Sequence, residues 1–108
     1  MARGSVGDFE LAVLVAVARL RHGAYGASVR REVSGRAERS YSVGAVYTAL
    51  QRLETKGLVV SWMSDPEPVR GGRAKRCFET TPAGERALAA AREASQRLWS
   101  GGLRCRHA

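Results

Sequence analysis

The stretch SVGAVYTALQRLETKGL, from Ser42 to Leu58, has the pattern of an amphipathic helix. With about 100 degrees of rotation per residue, its apolar side chains gather on one face, which we expect to lie against the core. That face comprises Val43, Val46, Leu50 and Leu53, with Tyr47 at its flank. The opposite face carries small or hydrogen-bonding side chains and one cation: Gly44, Thr48, Gln51, Arg52 and Thr55. A helix with such a face is suited to lie against a polar partner.

Both ends of this helix are marked in the sequence. The Ser42 hydroxyl can accept a hydrogen bond from the first turn. Gly57 stands where a left-handed terminating residue is preferred. We therefore predict a helix over residues 43–56.

Two further helices are predicted before it. The first covers residues 8–22, with Asp8 as its cap, and is apolar on almost every side, so it must be covered all round. The second covers residues 27–37 and follows a turn bounded by Gly23 and Gly26. Short helices joined by a few residues, with a polar face on the last, have the layout of a helix-turn-helix.

A β-hairpin and a final helix are predicted after it. Strands are expected at about 58–64 and 75–81, separated by SDPEPVRGGRA, whose prolines and glycines prevent a continued strand. Thr81 followed by Pro82 is a strong helix start, and this helix should run over residues 82–99. The sequence therefore predicts a mainly α fold with a small β-hairpin, a winged helix-turn-helix.

Length and charge limit the classes of function. The 108 residues fit a single domain. Within it we assign a winged helix-turn-helix to residues 8–81 and a dimerisation helix, packed on the first helix, to residues 82–99. Residues 1–7 and 100–108 are expected to be a flexible arm and a disordered tail. A formal net charge of +8 favours a polyanionic partner such as nucleic acid or an anionic membrane surface.

Several other classes are not favoured by the sequence. The apolar run from Leu11 to Ala18 is too short to span a membrane, and no leader pattern opens the chain, so we expect a cytoplasmic protein. Cys77 and Cys105 fit neither a disulfide framework nor a zinc cluster. No nucleophile has a convincing base beside it, and no metal-ligand spacing is present. We predict a protein that is not an enzyme and needs no cofactor or metal.

Three segments on successive elements resemble one known family. They are AYG at 24–26, GAVYTALQRLETKGLV at 44–59 and GGRAKRCFETTPAGERAL at 71–88. The sequence resembles the PadR-like transcriptional regulators over nearly its whole length, from about Phe9 to Trp99. It looks like the short, single-domain subgroup, because many members continue into further helices. It also has Thr48 where many members have proline.

The resemblance implies a homodimeric regulator, usually a repressor, that binds a palindromic operator. The recognition helix would enter the major groove, the wing would touch the neighbouring backbone or the minor groove, and the terminal helix would complete the dimer. By position, Tyr47 corresponds to the tyrosine of the family's recognition helix, and Arg73 and Lys75 correspond to its basic wing. This chain would bind through the helix at 43–56 and the wing at 65–76.

The residue types support DNA contact at these positions. Gln51 can bond bidentately to adenine, and Arg52 can reach guanine or a phosphate. Hydroxyl groups near the helix start could hold a phosphate, although Tyr47 could equally be a core aromatic residue. The candidate DNA-binding set is Tyr41, Ser42, Tyr47, Thr48, Gln51, Arg52, Arg70, Gly72, Arg73 and Lys75.

A second copy of the chain could cover the apolar first helix, although the terminal helix alone could also cover it. The candidate dimer contacts are Phe9, Val13, Leu14, Val17, Leu88, Ala91, Leu98 and Trp99. Trp99 could also line a pocket between protomers for a planar aromatic effector, as some relatives use, or simply seal the interface. Two other functions stay open: an RNA-binding winged helix, and a module that binds an acidic protein.

Overall fold

The computed structural model describes residues 6–65 and 74–100, and its elements follow the predicted order. The elements are α1 (Asp8–Leu20), a short 3₁₀ turn (Arg21–Gly23), α2 (Gly26–Ala37), α3 (Val43–Thr55), β1 (Val59–Met63), β2 (Arg76–Thr80) and α4 (Pro82–Trp99). The mainly α fold with a two-stranded hairpin is confirmed. The prediction placed the strand ends one residue too far outward at each end, and it merged the 3₁₀ turn with the first helix.

α1 lies at the centre of the fold, in contact with α2, α3, β2 and α4. Its side chains Val13, Leu14 and Val17 are buried in the core that these elements share. The prediction had assigned these three residues to contact with a second copy. Because the chain's own elements enclose them, they are not available to a partner, and we withdraw them from the dimer surface.

α3 packs its apolar face against α1 and α2 as predicted, with Val46, Leu50 and Leu53 fully buried. Val43 is the exception, since 51% of it is exposed. It is the first residue of the helix, and a helical wheel gives the direction of a side chain around the axis but not its position along the axis. Val43 therefore points in the core direction without reaching the core.

Both predicted ends of α3 are confirmed. The Ser42 hydroxyl accepts a hydrogen bond from the amide of Ala45 at 3.0 Å. Gly57 has a φ of +77 degrees, in the left-handed region that favours glycine. The chain leaves α3 there and continues directly into β1.

α1 begins at residue 8 as predicted, but its capping residue differs from the prediction. Gly7 is the capping residue, its carbonyl accepts from the amide of Leu11 at 2.8 Å, and Asp8 is already helical. Val6 packs against the core, so residues 6 and 7 are not part of a flexible arm. The remainder of that arm, residues 1–5, lies outside the described residues, as do residues 101–108 of the expected tail.

The hairpin pairs β1 with β2 antiparallel, from Val59 opposite Thr80 to Met63 opposite Arg76. The turn before α2 adds to the edge of this sheet, because the carbonyl of Ala24 accepts from the amide of Phe78 at 2.9 Å. Phe78 is buried and fixes the base of the hairpin on the core. The hairpin is therefore held at its base by both the core and the turn.

α4 begins close to the end of α3 and then extends beyond the core. The Thr81 hydroxyl accepts from the amide of Gly84 at 3.0 Å and donates to the carbonyl of Gly57 at 2.7 Å. Leu88 packs partly against the core, whereas Leu98 and Trp99 are 79% and 67% exposed. Within residues 6–65 and 74–100, no helix has both the length and the apolar character needed to cross a membrane.

Candidate nucleic-acid interface

The exposed face of α3 brings together several of the predicted DNA-contacting side chains. Its hydrogen-bonding residues form the floor of one open depression, which is lined by Thr48, Gln51, Arg52, Thr55 and Lys56. Because the opposite side of α3 is buried in the core, this polar face is directed outward. It presents amide, hydroxyl and cationic groups side by side, as reading the edges of bases requires.

An acidic residue of α1 contacts this face. Glu10 is almost fully buried, and its carboxylate forms an ion pair with Lys56. Its other oxygen lies 3.7 Å from the Arg52 guanidinium, which is itself 66% exposed. The hydrogen bond from Lys56 holds the pKa of Glu10 below its ordinary value, against the opposing effect of burial. Arg52 is thus directed towards a fixed carboxylate while most of it stays accessible.

Tyr41 fixes the turn between α2 and α3. Its amide donates to the Ser34 hydroxyl at 3.2 Å, and its carbonyl accepts from Arg30 at 2.7 Å. Its ring packs on Phe9, with 4.6 Å between ring centroids, and the Arg39 guanidinium lies 5.1 Å from its centre. Phe9, predicted as a dimer contact, is therefore partly buried against Tyr41 within the chain.

Tyr47 has features of both alternatives that the sequence left open. Its ring lies against the start of α2, where a Cβ added at Gly26 would stand only 2.4 Å from the phenol oxygen. It nevertheless remains 36% exposed. Tyr47 therefore packs α3 on α2, while part of its side chain remains exposed to solvent.

The described part of the wing is attached to α3 by side-chain hydrogen bonds. Arg76 donates to the Ser61 hydroxyl at 2.9 Å, and that hydroxyl donates to the carboxylate of Glu54, near the end of α3, at 2.8 Å. Lys75 lies over the ring of Tyr25, 4.2 Å from its centre. The predicted wing contacts Arg70, Gly72 and Arg73 fall outside the described residues.

Sequence reasoning missed Glu10, Lys56 and Tyr25. Glu10 had a usable signal, because it is a lone acid beside the apolar run of a helix that must be covered on every side. The others show their role only through contacts made by the folded chain. Among the described residues, no group of histidine, cysteine, aspartate or glutamate has an arrangement that could hold a metal ion.

Comparison with known proteins identifies the family. The model of the transcriptional regulator PadR-like family matches residues 13–90, which is more than half of the chain. The chain belongs to the PadR-like family. A transcriptional regulator of Mycobacterium tuberculosis, Rv3488, is 40% identical to this PadR-like chain over 74 residues. That match covers 68% of the chain but 64% of the relative, so the chain spans a little under two thirds of the relative's length.

Solved structures agree with the winged-helix fold of this PadR-like chain. A PadR family transcription regulator from Clostridium difficile is 27% identical, with a TM-score of 0.63 over 82% of this chain and 88% of that one. A PadR-like transcription factor from Bacteroides fragilis is 18% identical, with a TM-score of 0.70 over 83% and 82%. RosR of Halobacterium salinarum is 20% identical, with a TM-score of 0.71 over 92% and 82%. The last two similarities concern the fold alone.

Proposed function

We propose that this protein is a homodimeric transcriptional repressor that binds a palindromic DNA operator through α3 and the wing at 65–76. The observation that carries the proposal is the outward polar face of α3, on which Thr48, Gln51 and Arg52 lie together. Gln51 would bond to adenine, and Arg52 would reach guanine or a phosphate. The ion pair with Glu10 would orient the Arg52 guanidinium.

The charges around α3 support a duplex as the partner. Lys75 and Arg76 belong to the hairpin that is attached to α3 through Ser61 and Glu54. Cations beside a recognition helix neutralise phosphates and release counterions, which contributes affinity without sequence preference. The net charge of +8 agrees with this division between phosphate contacts at the wing and base contacts on α3.

The proposed dimer would use the outer side of α1. There α1 and α2 border an open groove of about 500 Å³ whose floor includes Leu11, Ala12 and Val15. Leu98 and Trp99, at the far end of α4, are the exposed apolar side chains that suit this groove in a second copy. Two copies related by a twofold axis would place their α3 helices about 34–36 Å apart, in successive major grooves of a palindrome.

Trp99 also supports a narrower proposal about regulation. Its indole is 67% exposed at the end of the helix that would reach the second copy. A planar aromatic effector stacked on the two indoles would alter the distance between the α3 helices. Such a compound would then release the operator.

Selection of duplexes from a randomised pool by the intact protein tests the DNA proposal. The selected palindrome, a scrambled duplex and an RNA of the same sequence are then titrated at several salt concentrations. We expect clear preference for the palindrome, and we expect Gln51→Ala to lower that preference by about 1–3 kcal/mol at one base position. Equal affinity for all three nucleic acids would exclude a sequence-specific regulator.

Repression and effector binding need separate measurements. Transcription in vitro from a promoter that overlaps the selected palindrome should fall as the protein is added, and activation would contradict the repressor. For the effector, Trp62→Phe leaves Trp99 as the sole tryptophan of the two in the chain. If no planar aromatic compound quenches the fluorescence of that variant or releases the duplex, the effector proposal fails.

A further inference from the structure

Tyr25, Arg31 and Lys75 form a cationic cluster outside α3, and of the three only Lys75 belongs to the predicted DNA-binding set. They come from three places in the chain: the turn before α2, the first half of α2 and the residue before β2. Lys75 lies over the Tyr25 ring at 4.2 Å from its centre, and Arg31 lies close enough to the Tyr25 phenol to lower its pKa. We call these three residues the Tyr25 cluster.

The backbone beneath the Tyr25 cluster is firmly held. The amide of Tyr25 donates to the Ser28 hydroxyl at 3.0 Å, and Tyr25 forms a β-bridge with Cys77 at the sheet edge. On its other side, Ala24 accepts from the amide of Phe78. The phenol is therefore carried by a segment that is hydrogen-bonded both to α2 and to β2. Such support fixes a binding group before its ligand arrives.

The Tyr25 cluster also occupies a particular place beside the proposed interface. Gly26, the next residue, lies directly under the phenol of Tyr47, which belongs to α3. Lys75 leads into β2 and directly follows the wing tip. The cluster thus connects the start of α2, which lies against Tyr47 of α3, with the described base of the wing.

The electrostatics of the Tyr25 cluster favour an anion. The hydrogen bond from Arg31, followed by the charge of Lys75, lowers the pKa of Tyr25 below its ordinary value. Both groups that act on the phenol in this way are cations. A phosphate bound at this cluster would have a guanidinium with several N–H donors, an ammonium and a phenol O–H as partners.

We propose that the Tyr25 cluster binds one phosphate of the DNA backbone, beside the groove that α3 enters. This contact would fix the position of the protein along the duplex without reading a base. The proposal rests on the DNA-binding function proposed above and adds α2 to the contacting elements. Arg31 and Lys75 would provide the charge, and Tyr25 would direct both of them.

Salt-dependent titration of the selected palindrome tests the charge contribution. Arg31→Ala should reduce the slope of log affinity against log salt by about 0.9 for each protomer, and at about 0.1 M salt it should lower the affinity roughly eightfold for each protomer bound. Because a phosphate contact carries no sequence information, the scrambled duplex should lose affinity by the same factor. Arg92→Ala, which removes an exposed arginine of α4, is the matched control and should change neither quantity.

Tyr25→Phe distinguishes the contribution of the Tyr25 hydroxyl to affinity from the contribution of its ring. It keeps the aromatic face under Lys75, so the salt slope should stay unchanged while the affinity falls about two- to tenfold, as for one lost hydrogen bond. Ethylation of single phosphates in the duplex should reveal one position whose interference disappears in Arg31→Ala. An unchanged slope and an unchanged interference pattern in Arg31→Ala would overturn the proposal.

The same titrations distinguish failure of the DNA-binding proposal from failure of the Tyr25 cluster proposal. If the wild-type protein binds no duplex, the DNA-binding proposal fails first, and with it the present one. If the wild type binds the palindrome but Arg31→Ala binds it equally well, only the Tyr25 cluster proposal fails. In a separate titration, inorganic phosphate is added to the protein at constant ionic strength, and binding is monitored through the chemical shifts of the backbone amides. Binding that depends on Arg31, together with an unchanged duplex slope, would assign the cluster to free phosphate and overturn the DNA contact.

Discussion

Glu10 is the residue whose ionisation should matter most to stability, because it is almost fully buried and paired with Lys56 and Arg52. Its pKa is lowered in the folded chain, chiefly by the hydrogen bond from Lys56. The stabilisation is therefore complete above the ordinary value of 4.5 and is lost as the pH falls through the lower value of the folded state. We expect Glu10→Gln to reduce the free energy of unfolding by about 1.5–3 kcal/mol at neutral pH.

Urea denaturation at a series of pH values checks this prediction. The curves for wild type and Glu10→Gln should converge as the pH falls, because the protonated carboxyl no longer stabilises the pair. Glu79→Gln, at an exposed position of β2, is the control and should change stability little. A constant difference between wild type and Glu10→Gln from neutral to acid pH would show that the charge of Glu10 is not the cause.

Gly84 is required for a close approach between α4 and the chain that leaves α3. A Cβ added there would lie 2.1 Å from the carbonyl oxygen of Leu58, which is backbone and cannot rotate away. We expect Gly84→Ala to lower stability by about 1–3 kcal/mol or more, through displacement of α4. Gly35→Ala is the matched control, because nothing lies within 4 Å of its added Cβ, and it should stabilise α2 by about 0.5–1 kcal/mol. Thermal unfolding of both variants decides the matter, and equal melting temperatures would contradict the steric argument.

At the scale of the element, Thr81 couples the end of α3 to the start of α4. Its hydroxyl caps Gly84 and also donates to the carbonyl of Gly57. Thr81→Ala should cost about 1–2 kcal/mol in unfolding free energy, whereas Thr81→Ser keeps the oxygen and should cost much less. Chemical denaturation measures both changes. A serine variant as unstable as the alanine variant would mean that the methyl group, and not the hydroxyl, is responsible.

The ends of the helices were predictable wherever the signal is local. Ser42 and Thr81 act within three residues of the amides that they cap, and Gly57 supplies its own backbone geometry. α1 begins at Asp8 as predicted, but its capping residue was not predicted correctly, since Gly7, which has no side chain to cap with, precedes Asp8. The helical periodicity of the sequence was sufficient to predict which face of α3 is polar and directed outward.

Properties that depend on distant contacts were not predictable. The sequence shows that α1 is apolar on most sides but not which sides the chain itself covers, so Val13, Leu14 and Val17 were wrongly left to a partner. The Tyr25 cluster was missed for the same reason, because Lys75 follows Tyr25 by 50 residues and reaches it only through the sheet edge. Periodicity describes one element at a time, whereas these contacts belong to the assembled fold.

For the whole molecule, the proposed dimer makes the spacing of the two α3 helices depend on α1. Since Val13, Leu14 and Val17 are covered within the chain, the remaining apolar surface of α1 is the groove around Val15, which is 38% exposed. The far end of α4 offers Leu98 and Trp99 to match it. If this pairing forms, the weak binding of two half-sites becomes one strong bivalent contact.

Val15→Asp tests that dependence directly. A carboxylate in the groove would have to be desolvated against Leu98 or Trp99, so the variant should sediment as a monomer at micromolar concentration while the wild type sediments as a dimer. Its affinity for a single half-site should be unchanged, and its affinity for the full palindrome should fall by about 100-fold or more, because the bivalent gain is lost. Val60→Asp places the same charge at an exposed apolar position of β1 and should leave the sedimentation of the dimer unaltered. If Val15→Asp remains dimeric, the dimer interface does not use α1. If the wild type is monomeric, the proposed twofold dimer does not form.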